Sequence, residues 1–345
     1  MKAAVLEDKG VMTYQEVPTP SPRAGHVLLK VKDVSICGSD IMRYVKGHRM
    51  YNLILGHECS GVIAEVGEGV SQELIGQAAA VIPLVPCFEC EQCQAGRYSA
   101  CHKYSFIGSR QNGGYAEYVE LPERNAFLLP AGVDLEAAAL IEPSTVARHI
   151  IDLGSFETGQ SAIVLGAGSV GLMAVQWLRI LGAKLIISTD VVDDNLQVAR
   201  ELGAHVTLNP KNVDVKEEVK KLTGDGVDLA IEAAGSPQAL AQTLQVTRPR
   251  GNIVCGGNQP PEASLPLQFI EDLMRKELRL NGCFMSYSAP FPGHEWTDSV
   301  QAMLNGQLNV AKMISHHYPL AQTTQVFEDI AARRMAYRKI MLLPE

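Results

Sequence analysis

The chain has 345 residues, 46% of them hydrophobic, and a formal net charge of -8. That length supports two domains with their own cores, and the acidic balance excludes general nucleic-acid binding, because no basic excess is available to displace counterions from a phosphate backbone. Eight cysteines, half of them crowded into one stretch, fit a reducing compartment better than an exported disulfide scaffold.

The N-terminal residues Met1 to Asp8 lack the long apolar region of a signal peptide, and no apolar run approaches membrane-spanning length, so a soluble cytoplasmic protein is expected. From Met1 to about Leu129 short β-rich runs such as His26 to Val31 alternate with Pro and Gly, which reads as an irregular β-barrel-like domain. Within it lie Cys37-Gly38-Ser39-Asp40 and Gly56-His57-Glu58, followed later by Ile141-Glu142-Pro143. Each residue alone reads as ordinary: a buried apolar thiol, a core histidine, surface carboxylates. Together they are thiolate, imidazole and carboxylate donors that a fold could gather around an open metal site. Ser39 reads at the same time as an N-cap for a helix starting near Asp40. Between two of these donors runs Arg43-Tyr-Val-Lys46-Gly-His-Arg49, a basic loop in an acidic chain; an anion grip and an ordinary solvated loop are both open readings.

Cys87, Cys90, Cys93 and Cys101 follow with C-x2-C-x2-C-x7-C spacing. Two-residue gaps let neighbouring thiolates converge on one ion, and four thiolates leave no open position, so the stretch predicts a structural zinc. An iron-sulfur cluster is disfavoured because its cysteine spacing differs and His102, not Pro, follows the last cysteine. Exchanging thiols of a redox protein are the remaining competitor.

After about Ile150 apolar strands alternate with longer amphipathic helices. Ala162 to Leu165, Leu185 to Thr189, Val227 to Glu232 and Asn252 to Cys255 read as strands of a parallel sheet, so the chain is α/β. The first strand runs into Gly166-Ala-Gly168-Ser169-Val170-Gly171 and a helix, the fingerprint of a dinucleotide-binding turn. Gly166 permits the tight turn, Gly168 brings backbone N–H groups to a pyrophosphate, and Gly171 allows close helix–strand packing, with Ser169 and Val170 opening the helix. Asp190 stands where a carboxylate binds the adenosine ribose hydroxyls and repels a 2′-phosphate; no Arg follows it, so NAD is expected over NADP. Asp193 and Asp194 read as caps of the next helix. The last segment closes with Lys339 to Leu343, a strand candidate for the first domain.

At this point the chain resembles the zinc-dependent medium-chain alcohol dehydrogenases: Gly56-His57-Glu58, Gly61, Gly67 and Val70 are similar to that family's zinc signature, and the likeness runs through the whole chain in order. Residues 106–118 and 285–296 are similar to the polyol dehydrogenase branch. The resemblance implies a GroES-like β-barrel catalytic domain over 1–150, completed by 285–345, and a Rossmann domain over 151–284. It implies two zinc ions, one held by Cys37, His57 and Glu58 with Glu142 as a fourth or exchanging ligand, the other by the four clustered cysteines. Ser39 would begin a proton relay; Met42 stands where sorbitol dehydrogenases carry His, so the outer relay runs through cofactor ribose and water. The implied substrate is a straight-chain alditol phosphate such as galactitol 1-phosphate, with Arg43, Lys46, Arg49 and Arg110 as phosphate candidates and a free polyol as the alternative. A homodimer or homotetramer is implied, and a cofactor-binding protein without turnover is the reading from another class.

Overall fold

The computed structural model describes residues 1–260, 264 and 267–344. The chain divides into two compact units. The first comprises Met1–Glu142, Tyr287–Leu304 and Val310 onward; the second comprises Pro143–Ser286 with Asn305–Asn309.

In the first unit the described residues form a seven-stranded sheet centred on His26–Ser35, which pairs antiparallel with Glu58–Val66, with Tyr118–Pro122 and with Lys339–Leu343. Valines and leucines at Val27, Leu29, Val31 and Val34 pack into its core, where Phe327 and Tyr115 are completely buried. The register sets Ser35 opposite Glu58 and Met341 opposite Ser35. Residues just beyond these pairs, Cys37 and His57, therefore arrive at one end of the sheet, together with Lys339 on the returning strand.

Beyond Ser35 the chain enters the helix Gly38–Lys46, whose N-cap is Cys37. This corrects two sequence expectations. Ser39 lies inside the first turn and is not the cap, and Arg43 and Lys46 belong to the last turn of a helix and not to a loop. Cations in that turn complement the negative end of the helix dipole. Gly47, with φ of 95°, ends it by a conformation that Cβ-bearing residues avoid.

The second unit holds a six-stranded parallel sheet in the order Val206–Leu208, Leu185–Thr189, Ser161–Leu165, Val227–Glu232, Thr247–Cys255, Arg279–Gly282. This is the doubly wound order, with its switch point between Ser161–Leu165 and Val227–Glu232. Ser161–Leu165 is buried at every position, as a central parallel strand requires. The fifth strand starts at Thr247, five residues before the expected Asn252, and accommodates Pro249 and Arg250 through a shift in register. Asp193 and Asp194 lie in the first turn of Asp193–Leu202, but Val192 is its N-cap, so neither caps it; Asp193 accepts a hydrogen bond from Asn209.

Candidate active site

The Cys37 Sγ, a His57 ring nitrogen and a Glu58 carboxylate oxygen all lie within 4.8 Å of one another. Sheet register explains the convergence: the turn through Gly56, at φ of 91°, delivers His57 and Glu58 beside the strand that ends in Ser35. A side chain at Gly56 would strike the Tyr115 ring at 2.5 Å, so the approach requires glycine. Glu58 and Lys339 are each 2% exposed, and Lys339 Nζ donates to Glu58 Oε2 at 2.6 Å. Ser35 Oγ donates to the same oxygen, which leaves Oε1 for a ligand. His57 Nδ1 is buried without a hydrogen-bond partner. Soft, borderline and hard donors converging within this distance suit a zinc site with an open position.

Around these donors lies a shell that sequence reasoning missed. Asp40 is completely buried; its Oδ1 accepts from Arg43 Nη1 at 2.8 Å and its Oδ2 from the Tyr115 hydroxyl at 2.8 Å. His57 Nδ1 stands 3.4 Å from Asp40 Oδ1, an ion-pair distance without hydrogen-bond alignment. Burial pushes the Asp40 carboxyl up, but His57, Arg43 and Tyr115 together hold it below its ordinary value. Burial pushes His57 down, and Asp40 and Cys37 more than reverse this, raising it well above the usual imidazole range. A carboxylate beside a ligating histidine is what orients such rings in metal sites. No local pattern marks either residue: Asp40 lies between Ser39 and Ile41, and Lys339 follows Arg338.

Glu142 opens the helix Ile141–Leu153 and stands outside the close donor cluster. Burial raises its pKa to about 7, with His57 pulling it down and Glu58 pushing it up, so it shares their electrostatic environment. Ser39 Oγ accepts from Arg43 Nη1 at 2.8 Å and donates to Cys37 Sγ at 3.3 Å. Of the other basic candidates, Arg110 donates to the Tyr104 carbonyl at 2.6 Å and lies 3.6 Å above the Tyr104 ring. Lys46 and Arg49 are exposed.

Cys87, Cys90, Cys93 and Cys101 also converge within 4.8 Å. Their Sγ atoms stand 3.5 Å, 3.9 Å and 4.0 Å apart in three pairs. The edge of a zinc–thiolate tetrahedron is about 3.8 Å, so these spacings fit four sulfurs on one ion and are far too long for a disulfide. Backbone N–H groups of Cys93 and His102 lower the Cys90 thiol to about 6, whereas burial lifts Cys93 to about 12. Phe88, at φ of 60°, turns its ring against Phe291 with centroids 5.3 Å apart, anchoring the lobe on the 285–296 segment.

In the second unit Gly166 takes φ of 104°, and a Cβ there would lie 2.6 Å from the Ala234 nitrogen; a Cβ at Gly171 would lie 1.8 Å from the Gly166 carbonyl. Gly168 is the N-cap of Ser169–Ile180, so the N–H groups of the first turn, around Ser169, Val170 and Gly171, suit an anion. Ser169 Oγ is buried without a partner, which a phosphate oxygen would satisfy. Asp190 accepts from the N–H groups of Ala167 at 2.8 Å and Val192 at 2.9 Å. Gly166, Gly168 and Asp190 border a cavity of about 460 Å³ reaching Thr189, Ala234 and Gln242. Glu232, which the sequence did not single out, accepts from Ala234 and Gly235 N–H groups at 2.9 and 2.7 Å and so fixes the turn that faces Gly166. A larger recess of about 540 Å³, bordered by Met1, Arg23 and Asn112, contains none of these donors.

Residues 23–131 match the alcohol dehydrogenase GroES-like domain family and residues 169–305 the zinc-binding dehydrogenase family. The chain is 34% identical to galactitol 1-phosphate 5-dehydrogenase of Escherichia coli K12, covering 100% of both chains. It is also 34% identical to sorbitol dehydrogenase of Bacillus subtilis, covering 100% of this chain and 97% of that one. A crystal structure of galactitol-1-phosphate dehydrogenase from Escherichia coli superposes with a TM-score of 0.95 over 100% of both chains at 34% identity. Among the described residues no helix is long and apolar enough to cross a membrane.

Proposed function

This chain belongs to the zinc-dependent medium-chain alcohol dehydrogenases, of the polyol dehydrogenase type, and we propose on that footing that it oxidises a secondary hydroxyl of an alditol phosphate, of the galactitol 1-phosphate kind, with NAD, giving a ketose phosphate. The observation that carries the chemistry is the convergence of Cys37, His57 and Glu58 within 4.8 Å. In this reading those three residues hold the reactive zinc, Glu142 is a fourth or exchanging ligand, and Cys87, Cys90, Cys93 and Cys101 hold a second zinc that only braces the fold. Zinc at the mixed-donor site supplies Lewis acidity toward an alcohol oxygen, and NAD supplies the hydride acceptor.

The chain's own residues do the rest. Ser39 Oγ, held by Arg43 at 2.8 Å, keeps one lone pair for the substrate O–H; as it takes that proton it must release its own hydroxyl hydrogen, which now points at Cys37 Sγ. Met42 has no group that could carry the released proton onward. Gly166, Gly168, Ser169, Val170 and Gly171 receive the pyrophosphate, and Asp190 accepts the ribose hydroxyls and repels a 2′-phosphate.

Support for a phosphorylated substrate comes from the full-length likeness to galactitol 1-phosphate 5-dehydrogenase and from Lys46 and Arg49, exposed cations at and just after the end of the helix that begins at Cys37. A free polyol is the second reading, favoured by Arg43 and Arg110 being engaged within the protein and by the equal identity to sorbitol dehydrogenase. Assembly as a homodimer or homotetramer is part of the proposal, supported by Leu280 on the outermost described strand of the parallel sheet and Phe284 just after it, 39% and 60% exposed. The test is NADH formation from matched free alditols and their phosphates. A higher kcat/KM for the phosphates supports the first reading; preference for the free alditols replaces it with the second.

A further inference from the structure

Arg43 lies in the most basic stretch of an acidic chain, where an anionic substrate would be expected to find it. One of its guanidinium nitrogens is committed elsewhere. That nitrogen, Nη1, donates to Ser39 Oγ and to Asp40 Oδ1, both at 2.8 Å. The spacing makes this intrinsic to the helix Gly38–Lys46, because Ser39 and Asp40 precede Arg43 by four and three residues and so share its face. The Arg43 side chain is only 21% exposed, and Asp40 is wholly buried.

We propose that Arg43 is a positioning residue, a strut that sets the Ser39 hydroxyl and, through Asp40, the His57 ring, and that it does not anchor the substrate phosphate; the proposal rests on the dehydrogenase reading above. Both Asp40 oxygens are occupied, Oδ1 facing Arg43 and His57 Nδ1 and Oδ2 facing the Tyr115 hydroxyl. Turning Arg43 toward a phosphate would withdraw a cation from a buried carboxylate, which is costly. It would also free the Ser39 rotor, whose other contact is Cys37 Sγ at 3.3 Å. A single side chain thus connects the hydroxyl that receives the proton to the carboxylate beside the ligating imidazole. Supporting residues of this kind change metal affinity or activity by about 10–100-fold when removed. Lys46 and Arg49, exposed on the same segment, remain the cations available to an anion.

The test compares the full-length wild type with Arg43→Met and Arg43→Lys, using one alditol and its phosphate as paired substrates. Two further readouts do not depend on turnover: the rate of zinc loss to a chelator, and the visible spectrum of the cobalt-substituted protein. For Arg43→Met, kcat is expected to fall about 10–100-fold on both substrates alike. Zinc should leave faster and the cobalt bands should shift. Arg43→Lys, whose ammonium can still donate to both oxygens, should recover part of each effect. Tyr115→Phe, which removes the other Asp40 donor, should move zinc loss in the same direction. A rise in KM confined to the phosphate substrate, with kcat, zinc loss and cobalt spectrum unchanged, would overturn the proposal and make Arg43 the anion anchor. If the wild type oxidises neither substrate, the alditol reading fails by itself; unchanged zinc loss and cobalt spectrum in Arg43→Met would still overturn the strut, and altered ones would uphold it.

Discussion

The two donor clusters of the first unit differ in how they are built. Cys87 to Cys101 come from one short stretch, Cys87 and Cys90 half-buried and Cys93 and Cys101 buried, with sulfurs that meet one another and backbone N–H groups. Cys37 comes from one segment and the adjacent His57 and Glu58 from another, and His57 and Glu58 are buried, braced by Asp40, Lys339, Ser35 and Arg43. A closed all-thiolate site needs little beyond spacing, because the ion itself orders the loop. An open site must hold unlike donors in place while leaving a position free, so the fold supplies the rigidity that a fourth fixed ligand would otherwise give.

Several variants would break or sharpen this contrast. Cys37→Ser should abolish most turnover, a fall on the order of a thousandfold in kcat, since several kcal/mol of Lewis-acid stabilisation depend on that donor set; turnover near the wild-type level would show that the open cluster is not the reactive site. Cys93→Ser should act on stability, lowering the bound zinc by one equivalent per chain and Tm by on the order of 10 °C, roughly 3–4 kcal/mol. Scanning calorimetry with metal analysis distinguishes this from a loss of chemistry.

Lys339→Met removes the cation 2.6 Å from a buried Glu58. It should cost about 3 kcal/mol in urea denaturation of the zinc-free protein, because an uncompensated carboxylate stays buried there. An unchanged midpoint would mean that the brace is dispensable. The smallest effect is expected at Asp33, on the strand that carries Ser35. Burial, with Glu136 and Asp134, raises its pKa from 3.8 to about 6. The folded chain therefore holds a proton in that interval that the unfolded chain has lost, so the residue destabilises fully above pH 6 and the cost fades as pH falls toward 4. Asp33→Asn should stabilise by about 1 kcal/mol at pH 7, after allowance for solvent screening, and by nothing at pH 4. A gain that persists at pH 4 would remove the electrostatic explanation.

Contiguous patterns are legible in the sequence. The dinucleotide turn is visible because its glycines sit within six residues of one another and directly follow a buried strand; the parallel sheet is visible because each of its strands is a short apolar run. The first half of the basic stretch reads wrongly as a loop because Gly47 and His48 break the pattern within it, and the helical face shared by Ser39, Asp40 and Arg43 carries polar residues that also suit a loop. Asp40, Lys339 and Tyr115 do not stand out because nothing near them in sequence says what they will touch.

By itself the sequence determined the α/β character, the four-thiolate lobe, the glycine turn with Asp190, and the donor types available for an open site. These depend on spacing along one segment, which local geometry converts directly into position. Tertiary structure alone decided that Ser35 opposes Glu58, that Lys339 returns from the far end of the chain to neutralise it, and that Arg43 is tied to Ser39 and Asp40. Strand register and burial choose those partners, and burial also settles their cost: a charge taken out of water must find its counterpart in the fold.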